Sequence, residues 1–166
     1  MNPFFRALQQ PEYLHILLNP LPVYGLALGL IALLFALFLR DRRAHLTALS
    51  IVFIAAVSAW PVAHYGEEAY DRVLSMSDQD GDAWLASHAH RADKFVWLYY
   101  ALAVIAALAL ILPRKFPRTG LPLIIAALVL GCVSLAAGSY IAYAGGKVRH
   151  REFRNEPPPP KPPERD

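Results

Sequence analysis

Pro22–Leu39 reads PVYGLALGLIALLFALFL, 18 residues without one Asp, Glu, Lys or Arg. That is the length at which an uncharged apolar stretch crosses a bilayer as a helix. Three further windows share the property: Leu46–Ala63, Phe95–Leu112 and Leu121–Tyr143. Of the 166 residues, 56% are hydrophobic and 17% charged, and the charges fall between these windows. Such a chain is a small polytopic membrane protein. A soluble enzyme, a nucleic-acid reader and a disulfide scaffold are excluded. Backbone amides in lipid must bond within their own segment or within a closed barrel, and continuous apolar runs without period-2 alternation exclude the barrel. The expected fold is therefore an all-α, four-transmembrane-helix up-down bundle.

The charges and prolines divide the chain. Residues 1–18 carry Phe4, Phe5, Leu8, Tyr13, Leu14 and Leu17 among polar residues, with Pro3 and Pro11 limiting any helix, and read as an interfacial segment. The transmembrane domain covers 19–146, with spans at about 20–40, 45–64, 94–112 and 120–144. Arg40-Asp41-Arg42-Arg43 links the first two spans so tightly that they form a hairpin. Tyr65–Asp93 reads as a long polar connection, with seven acidic residues against two basic ones. A short basic turn, Arg114–Gly120, joins spans three and four, and Gly145-Gly146 is read as the stop of the fourth. Residues 147–166 form a basic, Pro-rich C-terminal tail of polyproline character. Small-residue steps at Gly25/Gly29 and Ser134/Gly138 suit close helix packing. The two hairpins follow one another without residue-level similarity.

Arg40, Arg42 and Arg43 against a lone Arg6 place both termini on the outer, periplasmic side, and Arg114, Lys115 and Arg118 agree. The basic tail argues the other way.

Six histidines carry whatever chemistry the chain has. His15 precedes span one, His64 ends span two, His88 and His90 precede span three, and His150 follows span four. In an up-down bundle these five share one membrane face, opposite His45. His15 and His64 abut apolar residues, and ionisable groups at that depth point to function. Imidazole is an axial ligand of haem iron, and bundle cores build such sites from facing helices. Helices one and three lie on a diagonal, so His15 and His90 are the expected axial pair, with His64, His88 and His150 in the same layer. Tyr24, Trp60, Tyr65, Trp97, Tyr99, Tyr100, Tyr140 and Tyr143 form either an interfacial aromatic belt or the lining for a flat cofactor or a quinone head. A competing metal reading uses His64, His88 and His90 with Glu67, Glu68 or Asp93. Asp78-Gln79-Asp80-Gly81-Asp82 does not match a calcium loop, because glycine stands fourth and Ala89 twelfth. No nucleophile–base pair, phosphate loop or in-span carboxylate pair is present, so no catalytic activity of its own is expected.

The run His15-Ile-Leu-Leu-Asn19-Pro20-Leu-Pro22, then Trp60-Pro61-Val62 and Gly66-Glu67-Glu68-Ala69, resembles a family of uncharacterised bacterial four-helix membrane proteins. Its signature is His-x-x-x-Asn-His-x-Pro, and it is grouped with cytochrome b-like proteins. The resemblance implies a haem b-binding, electron-transport subunit of a redox complex in the bacterial inner membrane. His15 matches the first signature histidine and His90 the one before span three, while Pro20 replaces the second signature histidine. The alternative is a cofactor-free accessory subunit that packs against the other subunits of a membrane complex, with its tail as a strap.

Overall fold

The computed structural model describes residues 2–160. Residues 161–166, the end of the Pro-rich tail, lie outside the described residues. Among the described residues every regular element is helical. Four helical segments are long and apolar enough to cross a membrane: Pro11–Leu39, Arg42–Ser75, Gln79–Arg114 and Pro117–Arg149. This is the four-helix membrane bundle expected from the uncharged windows.

A short α1 (Pro3–Ala7) is capped by Asn2, whose side chain accepts from the Phe4 N–H. Helix one is built from α2 (Pro11–Leu18), a π-helical turn over Leu21–Gly25, and α3 (Leu26–Leu39). Pro20 and Pro22 have no N–H to donate, and the widened turn absorbs the missing bonds. Arg40 ends α3 in the left-handed region at φ 53°, and Asp41 caps the next helix by accepting from the Ala44 N–H at 2.8 Å. Two residues thus reverse the chain.

Helix two comprises α4 (Arg42–Val57) and α5 (Ala59–Ser75), with a break at Ser58. Pro61 causes it, since it cannot bond the carbonyl four residues back. The Ser58 hydroxyl turns onto the Ala55 carbonyl at 2.7 Å. The structure corrects the long polar connection expected over Tyr65–Asp93. Helix two runs on to Ser75, and α6 (Gln79–Ile111) starts after only three intervening residues. At 33 residues α6 is about 50 Å long against about 30 Å of hydrocarbon. Its polar first third is helix standing clear of the lipid, where acids are tolerated on an exposed face.

After Pro113 and Pro117 shape the basic turn, α7 runs from Gly120 to Arg149. Gly145 and Gly146 do not stop it, contrary to expectation. No glycine adopts positive φ among the described residues, and Gly145 serves a close side-chain approach instead.

The helices form a ring in chain order, with one and three on one diagonal and two and four on the other. The main core lies within the membrane and includes Leu26, Leu30, Leu33, Leu49, Val52, Leu102, Ala106 and Ala127. Gly29 lets helix one approach Val52 and Ile51, where an added Cβ would meet atoms at 3.0–3.2 Å. Lipid supplies no hydrophobic drive between helices, so such close packing is what holds them. Ile31, Phe35, Phe38, Val104, Ile125 and Val129 face outward, as lipid contact requires. A smaller core, Trp84, Leu85, Ala144 and Val148, closes the other end of the α6–α7 seam.

Asp78 caps α6, accepting from the Gly81 N–H at 2.7 Å. That bond, followed by the Arg154 and Arg151 guanidiniums, holds its carboxyl below the ordinary value. A carboxylate lowered in the folded state stabilises above its unfolded pKa, and that stabilisation is lost as pH falls through the folded value. Fluorescence of Trp84, in a chain carrying Trp60→Phe and Trp97→Phe, should therefore stay level at neutral pH and change only below about pH 4. Asp78→Asn should shrink the acid limb, leaving the part carried by Glu156, which the Lys147 ammonium beside Trp84 holds below the ordinary value. A limb unchanged by that substitution would assign it elsewhere.

Candidate functional site

Between the two cores lies a cavity of about 360 Å³, within the range of small-molecule sites. Its walls are mostly apolar, from Ile16, Val23, Val62, Val96 and Ile141 among others, with Glu12, Asn19, Tyr70, Asp93 and Arg149 as polar members. Glu12 pairs with Arg72 at 3.0 Å, tying α2 to α5 at this level. Two imidazoles enter from opposite corners of the bundle, His15 from helix one and His88 from helix three. Their ring centroids are 6.1 Å apart and their planes stand at 86°.

Each ring is held in the same way. His15 Nδ1 lies 2.8 Å from the Val62 carbonyl of helix two. His88 Nδ1 lies 3.0 Å from the Ile141 carbonyl of helix four. A carbonyl oxygen only accepts, so both Nδ1 atoms donate and both neutral rings keep their lone pair on Nε2. Four residues beyond each carbonyl stands a glycine with the ring against it. A Cβ on Gly66 would lie 2.8 Å from His15 Nδ1, and one on Gly145 would lie 2.9 Å from His88 Nδ1.

The reason is helical geometry. The amide of residue j+4 donates to the carbonyl of residue j, whose second lone pair stays available. A Cβ at j+4 leans toward the N-terminus and covers that lone pair. Glycine uncovers it for the imidazole. Each hairpin thus contributes a histidine from its first helix, and a carbonyl and a glycine from its second. The two halves correspond in space although their sequences do not.

Tyr99 marks the membrane-ward side of the cavity. It is 3% exposed, its hydroxyl is buried without a hydrogen-bond partner, and it nestles against Gly138.

The remaining histidines lie elsewhere. His90, expected as the axial partner of His15, is exposed, two residues past His88 and about 200° around the helix from it. His64 is on the outer face of helix two, stacked on Trp60 at 5.6 Å and 3.5 Å from Glu68. His150 is exposed, beside Glu152 at 2.9 Å and over Phe153. His45, at the far end, bonds the Asp41 carbonyl. The competing metal set does not assemble, for His88 and His90 diverge. Among the described residues no group of three or more His, Cys, Asp or Glu is placed to hold an ion.

Sequence reasoning reached His15 and His88 but not their holders. Gly66 inside a helical polar stretch, four residues after Val62, was the available signal. Gly145 was masked by its neighbour Gly146, since a Gly-Gly pair also reads as a helix end. No family profile, curated protein or solved structure matches this chain.

Gly66→Ala and Gly145→Ala should each displace one imidazole and destabilise the bundle by about 1–3 kcal/mol in detergent unfolding. Gly120→Ala, with only ordinary contacts to Pro113 at 3.7–3.8 Å, should stay within about 0.5 kcal/mol. Equal effects at all three positions would show that the ring contacts carry no special weight.

Proposed function

We propose that this protein is an integral membrane electron carrier that holds a b-type haem between His15 and His88. The observation that carries the reading is the spacing of the two rings. The centroids stand 6.1 Å apart, room for one metal atom that both imidazoles would hold at about 2 Å each. The proton positions agree. With both Nδ1–H groups given to carbonyls, the rings have no hydrogen bond to exchange, and two Nε2 lone pairs suit a shared Lewis acid. Histidine ligands whose other nitrogen donates to a backbone carbonyl are the usual second-shell arrangement at metal sites. Two protein donors would suit an iron already carried by a porphyrin, whereas a bare ion needs a larger protein donor set.

The surroundings suit the same group. The apolar walls would take a flat macrocycle, and Arg149 would take a carboxylate of it, set against the acids Glu12, Glu67 and Asp93 in the same lining. Arg149 is the cation there, its guanidinium also bonding the Met76 carbonyl at 3.1 Å. Haem supplies the one-electron chemistry when bound. The chain's own residues fix both rings, and both would be given to the iron, with neither left to act on a substrate. That favours electron transfer, with a quinone or the other subunits of a membrane redox complex as the exchanging partners.

The test is an oxidised-minus-reduced absorption spectrum of purified, haem-replete protein, with a pyridine haemochrome assay. A sharp reduced alpha band at one haem per chain is expected. His15→Ala and His88→Ala should each abolish it or convert it to a high-spin spectrum, while His90→Ala, His64→Ala and His150→Ala should leave it intact. Loss in His90→Ala with retention in His88→Ala would reverse the ligand assignment. A flat spectrum from folded wild-type protein would end the haem reading in favour of a cofactor-free subunit.

A further inference from the structure

Outside the cavity the first part of the tail, through Arg151, Arg154 and Glu156, turns back onto the ends of α6 and α7. Arg154 is its anchor. The guanidinium donates to both Asp78 carboxylate oxygens at 2.8 and 3.0 Å, and to the Val148 carbonyl at 2.8 Å. Its Nε donates to the Lys147 carbonyl at 2.7 Å. The Arg154 side chain is only 10% exposed, and Arg151 adds a second guanidinium to Asp78 at 2.7 Å. One fork thus joins the cap of α6 to the last carbonyls of α7, which otherwise lack helical donors.

A second contact lies beside it. Lys147 is 3% exposed, with its ammonium 4.4 Å from the Trp84 ring centroid and 4.0 Å from that of Tyr143. It donates to Glu156 and to the Tyr143 hydroxyl, both at 2.6 Å. A buried cation is costly unless paired, so the tail is required here by α7 itself.

We propose that the Arg154–Asp78 fork and the Lys147–Glu156 pair form a clamp that sets the register of α6 against α7, and thereby positions His88. The seam is continuous from clamp to ring. At Gly81 an added Cβ would meet the Val148 carbonyl at 2.8 Å. Trp84 packs edge-on to Tyr143, and His88 follows with the Ile141 carbonyl and Gly145. Arg91 then donates to the Tyr140 carbonyl at 2.9 Å while lying over that ring. A slip of one residue would take His88 from both its carbonyl and its glycine. His15 belongs to the other hairpin and is held by Val62 and Gly66, so its link to this seam is the edge contact with the His88 ring alone. The consequence for an iron ligand rests on the haem reading above, whereas the clamp and its effect on the His88 ring do not.

Diethyl pyrocarbonate acylates unprotonated imidazole nitrogen, and mass spectrometry of the haem-free full chain resolves His15 from His88. Arg154→Ala should raise the modification rate at His88 by about tenfold and leave that at His15 within about twofold. Asp78→Asn keeps a residue able to cap α6 but weakens the ion pair, and should show the same selectivity. A general loosening would expose both rings together, so a parallel rise at His15, or no change at either ring, overturns the proposal. Because the probe is used without haem, a failed clamp and a failed haem assignment give different results.

Discussion

The second lone pair of a helical carbonyl is the feature on which this site depends. It is normally hidden beneath the side chain one turn on, and a bundle in lipid has few other polar groups to hold a ring in place. Removing the Cβ at Gly66 and Gly145 opens Val62 and Ile141 as acceptors without breaking either helix. The imidazoles are then fixed by three things at once: a hydrogen bond, a close contact of the ring's Nδ1–Cε1 edge with the glycine and the tautomer that the bond imposes. A carboxylate partner would fix a ring equally well but would bring a charge to the membrane boundary, where desolvation is expensive. Backbone acceptors avoid that cost and hold each ring without adding a further charge beside it.

The arrangement repeats because the topology repeats. Helices one and three run the same way, as do helices two and four, so a device built on one hairpin is reproduced on the other about an axis along the membrane normal. His15 over Gly66 and His88 over Gly145 are the visible trace of that relation. It is absent from the sequence as an ordered similarity because only three positions per hairpin are constrained, and their spacing differs with the length of the connecting turn. Tyr99 breaks the pairing: the site is two-fold in its imidazoles and polar on one membrane-ward wall.

Much of this was legible beforehand, for definite reasons. Charge-free windows fix the spans because a charge in lipid is expensive, and span parity sorts the histidines by membrane face. The diagonal relation of helices one and three follows from the same topology. The choice of His88 over His90 did not follow, because it depends on helix phase. Once Tyr65–Asp93 was read as a connection, that phase had no meaning there. The error arose from equating the end of the apolar window with the end of the helix. Ser75 and Gln79 show that a helix leaving the bilayer continues as long as its polar residues can find solvent or one another. Glu12 with Arg72, and Asp78 with Arg154, are such pairs.

Those extensions explain where the site lies. Below it the membrane core is held by Leu and Ala packing, and above it the tail holds α6 to α7. At the level of the rings α2 leans on α5, while α6 leans on α7, and the space between the two pairs is the cavity. Neither hairpin alone offers more than one imidazole. A group bound by both rings would therefore bridge two half-sites, and its binding energy would add directly to the association of the hairpins. Such a group would contribute to the fold as well as to the chemistry, since it would tie the two hairpins across the cavity. The glycines have the complementary part: by removing two side chains they weaken local packing, and in exchange they give each ring a single orientation before any ligand arrives.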